Sequence, residues 1–357
     1  MKKINTLQLS SMLIMIIVST TFGKGFYTVI KSAGVDSWIS VLIAGILGFL
    51  IIFAYLYISN YEPDLSLPEK NKKLFGSIFG TIVNYLIVII IFITSVSLFY
   101  DLTGFISSQF LPETPIFVIG LMFVFVIIYI NVKGIEVISR TALVLMIIGY
   151  VLYFLAFFGL LPNFEISNIK PFLEFGYSKP LSGSLYILML NIMPSIILLI
   201  IPKNTLVDYK KLKQRIILFY IISIIMIFLV ILLTIGNLGI DLCKLYLFPE
   251  YVVLKRINIF SFIDRIENIL VMQWIFSMFI NISLCIYFMT NTIKKKNNKL
   301  VVYILTFLLL FASNTVFKNT TLYNAYVYNI AIYFKYVLLA LVIIIILKIK
   351  YNRWKAK

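Results

Sequence analysis

The chain has 357 residues, 62% of them hydrophobic and 13% charged, with a formal net charge of +17 and no histidine. About a quarter of a soluble domain is charged, so an ordinary soluble domain is excluded; repeated apolar runs near twenty residues instead fit helices crossing a hydrocarbon core ~30 Å thick. Without histidine the usual general base and commonest metal ligand are missing, and Cys243 and Cys285 are isolated, with no ligand or redox spacing, so no metal or cofactor is expected.

Ten apolar runs read as spans, near 9–30, 38–59, 78–100, 115–130, 142–161, 182–202, 216–238, 267–290, 300–317 and 326–347. A lipid-embedded backbone must satisfy its own hydrogen bonds, so an all-α polytopic membrane protein is expected, one permease-like domain over residues 1–357. The first run lacks a small-residue cleavage site and reads as a retained span. With the N-terminus inside, 21 lysines and arginines fall on the inner side and 8 on the outer. Retention of cationic loops in the cytoplasm then puts both termini there and explains the net charge without nucleic acid. Only Lys24 and Lys335 remain, both inside apolar runs.

The first run contains "STTFGKGFYTV", residues 19–29. Two readings stand. Lys24 snorkels to the headgroups while Gly23 and Gly25 pack helices closely. Alternatively the helix unwinds at the glycines and its freed backbone groups, with the hydroxyls of Thr20 and Thr21, face a cavity. The third run opens with Gly76-x-x-x-Gly80, a packing motif, and ends at Tyr100 and Asp101. An intramembrane carboxylate is a functional candidate by default, unless Asp101 lies at the interface. Pro194 interrupts the sixth run between Asn191 and Ser195, where it either kinks the helix or breaks it, freeing a carbonyl near Leu190. Interrupted helices at matching positions in two halves point to a transporter-type site.

Residues 239–266 form an outer connection in which Val253, Ile257, Phe260, Ile263 and Ile266 recur at helical spacing. This reads as an interfacial helix or as a docking surface or gate. In the eighth run Ser277 and Asn281 share a face, able to line a polar path or to bond neighbouring helices. Lys335 in the tenth has no evident partner.

The segment "FPEYVVLKRINIFSFIDRIENILVMQW", residues 248–274, resembles the Y/F-P-x-Y…F-x-x-R-I-E stretch of the GerAB/GerB-type spore germination permeases. "KGIEVISRTA", residues 133–142, is similar to that family's K-G-I-E-x-x-A/S-R, and "LFGSIFGTIVNYL", residues 74–86, to its glycine-spaced third span. The resemblance runs over essentially the whole chain. It implies the amino acid/polyamine/organocation transporter superfamily and a LeuT-like 5+5 inverted repeat, residues 9–161 and 182–347, with broken first and sixth helices. It further implies the B subunit of an endospore germinant receptor in the spore inner membrane, working with A and C subunits. A small nutrient such as an amino acid would then bind at Thr20, Thr21, Gly23, Lys24, Gly25, Asn191, Pro194 and Ser195. The third and eighth spans would complete the walls, with Tyr100, Asp101, Ser277 and Asn281 as pathway or gate. Lys24 departs from the small or neutral residues that members commonly have there, and residues 188–193 lack the acidic residue often found in that span. Nutrient sensing leads; a secondary amino-acid permease is the alternative, and an enzyme is not expected.

Overall fold

The computed structural model describes residues 4–174, 176–257, 265–293, 298–317 and 319–355, with the side chains of Phe22, Lys24 and Thr320 outside that description. Its described secondary structure is helical apart from one isolated bridge between Ile4 and Leu206. In chain order the α-helices are α1 Thr6–Ser19, α2 Phe26–Ala33, α3 Ser37–Asn60, α4 Leu67–Phe75, α5 Ser77–Gln109, α6 Ile116–Lys133, α7 Ile135–Leu160 and α8 Ser178–Ile187. There follow α9 Leu212–Leu238, α10 Ile240–Leu245, α11 Pro249–Val252, α12 Ile266–Leu270, α13 Met272–Ile293, α14 Lys299–Val316, α15 Thr320–Tyr326 and α16 Ile332–Lys355.

Among the described residues nine helical stretches are long and apolar enough to cross a bilayer, against the ten runs counted in the sequence. The difference lies in the first run. It is divided into α1, a π-wound turn Thr21–Gly25 and α2, and α2 continues almost directly into α3 as a 35-residue stretch, Phe26–Asn60. The fold is that of a polytopic membrane protein.

Burial follows position in the bundle. The stretches 178–200 and 266–293 lie mostly inside the protein, whereas 135–163 and 299–316 turn most of their apolar surface outward, as lipid-facing helices must. Close crossings occur where side chains are smallest. A Cβ on Gly48 of α3 would stand 2.2 Å from the Tyr220 hydroxyl oxygen of α9, and that hydroxyl donates to the Gly45 carbonyl at 2.7 Å. Gly80 likewise admits the backbone of α4, to within 2.6 Å of a would-be Cβ.

Helix α4 lies in a stretch not assigned to any span. Ser66 and Glu69 close a capping box around its first turn, which satisfies otherwise orphaned amides. The buried Lys70 then donates to the carbonyls of Ile58 (2.8 Å) and Ser59 (3.1 Å) at the end of α3. Burial lowers its ammonium pKa to about 8.

The connection 239–266 reads from sequence as an interfacial helix or a docking surface or gate, resting on Val253, Ile257, Phe260, Ile263 and Ile266, and its residues 258–264 lie outside the described residues. Its described part is a series of short turns, α10, α11 and a 3₁₀ turn Val253–Arg256, with Phe248, Glu250, Tyr251, Val253 and Leu254 buried in the protein. Apolar spacing fits a protein-facing side as well as a lipid-facing one, and here protein takes it. Phe260, Ile263 and Asp264 lie outside the described residues.

Candidate functional site

Helix α1 stops at Ser19, and the chain continues through a π-wound turn in which Gly23 has φ +70°. That left-handed conformation favours glycine. Gly25 is required for space, since a Cβ there would lie 1.6 Å from the Thr20 carbonyl oxygen. Winding of this kind frees backbone groups, and each needs a partner when buried. Asn191 Nδ2 donates to the Ile17 carbonyl at 2.9 Å and to Thr21 Oγ1 at 3.1 Å. The Trp274 indole donates to the Ser19 carbonyl at 2.8 Å, while Asn281 Nδ2 donates to Ser19 Oγ at 2.7 Å. The Gly23 amide donates to Glu250 Oε1.

The sixth run loses α geometry at the same level. Helix α8 ends at Ile187, and a π turn Leu188–Ile192 and a 3₁₀ stretch Met193–Ile200 follow. Pro194 lacks an amide proton, and the Leu190 carbonyl accepts from Thr20 Oγ1 at 3.3 Å instead. The Met193 carbonyl takes the Tyr55 hydroxyl at 2.8 Å, and Ser195 Oγ donates to Ile192 at 2.6 Å. The two altered segments therefore bond directly to each other, through Thr20–Leu190 and through Asn191.

A cavity of about 50 Å³ opens beside this junction, lined by Thr20, Gly25 and Leu190 on one side and by α5, α15 and α16 on the other. A water needs roughly 10–15 Å³ of such space, so the volume suits a solute of a few heavy atoms. From α5 come Thr94, Ser97 and Asp101, at i, i+3 and i+7 and hence on one face. The Tyr323 hydroxyl lies 2.7 Å from Asp101 Oδ2 and 2.8 Å from the Ser97 carbonyl oxygen. Lys335 is 3% exposed, and its ammonium donates to Thr94 Oγ1. A carboxylate and an ammonium thus border one cavity, separated by about 10 Å of helix rise between Thr94 and Asp101.

The residues singled out in the sequence divide into three groups. Thr20, Gly25 and Asp101 line the cavity. Thr21, Gly23, Asn191 and Asn281 hold the interrupted segments together and are already bonded. Ser195 lines a separate apolar cavity with Leu13 and Tyr55, and Ser277 donates to the Trp274 carbonyl beside a third small cavity. Tyr100 packs at 4.6 Å against Tyr323. The side chain of Lys24 lies outside the described residues.

Two expectations change with this geometry. The freed backbone groups with partners among the described residues are met by protein side chains rather than left for a solute. Beside α5 the cavity is walled by α15 and α16, while α13 braces the end of α1 instead. Glu250 and Trp274 had no assigned role, although Glu250 stands in the quoted "FPEY" stretch and is 2% exposed. Burial, reinforced by the nearby Asp101 charge, pushes its carboxyl pKa up to about 8.

Residues 3–321 match a family model described as "Spore germination protein". The chain is 24% identical over 319 residues to Spore germination protein KB of Bacillus subtilis (strain 168), covering 88% of this chain and 86% of that relative. It is 26% identical over 302 residues to Spore germination protein A2 of the same organism, covering 82% and 80%. Spore germination protein XB of Bacillus anthracis is 24% identical over 279 residues, 78% of this chain and 77% of that protein.

Proposed function

The chain belongs to the spore germination protein family, and from that premise we propose that it is the nutrient-sensing membrane subunit of a germinant receptor. The observation that carries the reading is the cavity bordered by Asp101 and Lys335 beside two π-wound turns, residues 21–25 and 188–192. A buried ammonium is costly unless an anion compensates it. A small amino acid supplies that anion as its carboxylate, bound at Lys335, with its own ammonium turned toward Asp101 and Tyr323. The protein acts by binding rather than by enzyme chemistry.

In this reading residues 9–161 and 182–347 form the two halves of a LeuT-like repeat, each beginning with an interrupted helix. The charge bias of the loops puts both termini in the cytoplasm, and the receptor's A and C subunits are its partners in the spore inner membrane. A ligand shifts a conformational equilibrium only by its differential affinity for the two states. The Thr20–Leu190 bond gives that shift a route, because it joins the cavity wall to the second interrupted segment.

Spores lacking the protein, complemented with wild type, Lys335→Gln or Asp101→Asn, test this against a panel of amino acids and sugars. Wild type is expected to restore germination to at least one amino acid. A hydrogen bond to a charged group is worth roughly 1.5–3 kcal/mol, so Lys335→Gln should raise the half-maximal concentration about tenfold or more. Identical dose–response curves at equal membrane abundance, or rescue by sugars alone, would refute the assignment. The paired interruptions also favour a second reading, a secondary amino-acid permease with alternating access, which uptake into vesicles would separate from sensing.

A further inference from the structure

At the end of the bundle where α3 finishes and α9 begins, we propose a binding site for an anionic phospholipid, its phosphate held by lysines and its acyl chain laid along α3. A groove of about 430 Å³ opens there, and Asn60, Lys203, Lys210 and Lys213 line it together with Tyr57 and Phe53. No carboxylate lies among its lining residues. Lys203 donates to Asn60 Oδ1 at 2.6 Å, which fixes one ammonium at the rim. The Arg353 guanidinium stands 5.0 Å over the Tyr57 ring and adds a fourth cation at the border. Asp208, the acidic residue closest in sequence, is engaged by Arg215 at 2.5 Å and by the Thr6 amide at 2.7 Å. Glu62 and Asp64, just after α3, are likewise engaged, by Lys73 and by the Asn204 side-chain amide, and among the described residues no carboxylate lines the groove. Helix α9 begins beside it with no side chain capping its first turn, and the start of a helix favours an anion.

Retention of cationic loops accounts for lysines at one end of a bundle, but not for their convergence on a concave surface. Nor does it account for what leads into that surface. Ile46, Leu50 and Phe53 are exposed on α3 and continue to Tyr57 at spacings of four, three and four residues, a single stripe about 16 Å long. In a bilayer that stripe meets hydrocarbon. A phosphate at the lysines with a chain running up the stripe matches both halves of the surface, whereas a free phosphate matches only one. Basic pockets at helix ends bind acidic headgroups by this combination.

The full chain, purified in neutral detergent, is titrated with palmitoyl-oleoyl phosphatidylglycerol, palmitoyl-oleoyl phosphatidylcholine or inorganic phosphate, and bound lipid is read by native mass spectrometry. Phosphatidylglycerol should bind at least tenfold tighter than phosphatidylcholine, and inorganic phosphate should not displace it. The triple variant Lys203→Gln/Lys210→Gln/Lys213→Gln should bind phosphatidylglycerol about a hundredfold more weakly. A control of equal charge loss, Lys72→Gln/Lys133→Gln/Lys299→Gln, should change affinity less than twofold. Equal loss in both triple variants means diffuse attraction and overturns the site, as does equal binding of the two lipids. Displacement by phosphate alone overturns the lipid assignment in favour of a free anion. If the triple variant is not recovered folded, Lys210→Gln and Lys213→Gln are read singly, each expected about fivefold weaker; unchanged affinity in both rejects the proposal.

Discussion

Glu250 shows how one side chain joins a loop to a helix interruption. One carboxyl oxygen accepts the Gly23 amide, and Oε2 has no hydrogen-bond partner among the described residues. Burial raises its pKa from 4.5 to about 8, with the Asp101 charge acting the same way and the Gly23 bond opposing. Because the folded-state value is raised, the folded protein holds a proton that the unfolded chain has released between those two values. Stability is then fullest below the ordinary carboxylate range and declines as pH rises toward 8. Lys70 contributes the opposite slope at higher pH: with its pKa lowered from 10.5 to about 8, the folded state has released a proton that the unfolded chain still holds, so stability rises between those values. The difference between wild type and Glu250→Gln isolates the first effect. We expect the glutamine variant to be at least as stable as wild type at pH 8, with a flatter thermal profile between pH 5 and 8 in detergent. Glu250→Ala leaves the Gly23 amide unpartnered and should lose about 1–3 kcal/mol at every pH. A wild-type profile as flat as that of the glutamine variant would mean that the carboxylate stays ionised in the fold.

The changes of helical winding at residues 21–25 and 188–200 were partly legible in the sequence, and the reason is local. A glycine pair in an apolar run and a proline in another are backbone features, and backbone features follow from single residues. The groups that satisfy the freed backbone are tertiary features. Asn191 was within reach because it sits three residues before Pro194. Trp274 and Glu250 were not, because each meets the end of α1 or the turn after it from more than 220 residues away in sequence. The apolar spacing around Val253 and Ile257 could not tell a lipid-facing side from a protein-facing one. Helix α4 was readable in principle, since Ser66-x-x-Glu69 is a capping pattern, but attention to twenty-residue runs passes over nine-residue helices. The two glycines should respond differently to the same change. At Gly23 an added methyl meets the Phe248 ring at 3.3 Å, close enough that the ring must shift slightly, and also carries the cost of positive φ, about 1–2 kcal/mol. At Gly25 the methyl would overlap the Thr20 carbonyl, so the π turn itself must rearrange. Gly25→Ala should therefore abolish the monodisperse detergent-purified species, while Gly23→Ala lowers its melting temperature by several degrees. Equal behaviour of the two variants would show that the winding does not constrain position 25.

Across the whole molecule, a cluster of aromatic rings ties the segment that carries α10 and α11 to the π-wound turn beside the cavity. Phe105 of α5 meets Phe248 at 5.0 Å, Tyr251 at 5.3 Å and Trp274 at 4.7 Å, each edge to face. Phe248 also covers Gly23, and Trp274 is bonded to the end of α1. The cluster thus connects the loop, α5 and α13 to the π-wound turn. We expect access to the cavity from that side to require movement of these rings, and a ligand that favours the moved state would hold it open. Both native cysteines are buried, so they can be replaced and Thr20→Cys used as a reporter. In otherwise intact protein the reporter should react slowly with a membrane-impermeant maleimide added from the α10–α11 side of oriented vesicles. Truncation of one ring, Phe248→Ala or Phe105→Ala, should raise that rate at least tenfold without a matching rise from the opposite side. Removing so large a buried aromatic also costs about 3–5 kcal/mol, so the comparison uses only protein that elutes as a single species. An unchanged rate in both variants would place the barrier elsewhere, and an equal rise from both sides would mean general loosening of the bundle rather than the opening of a gate.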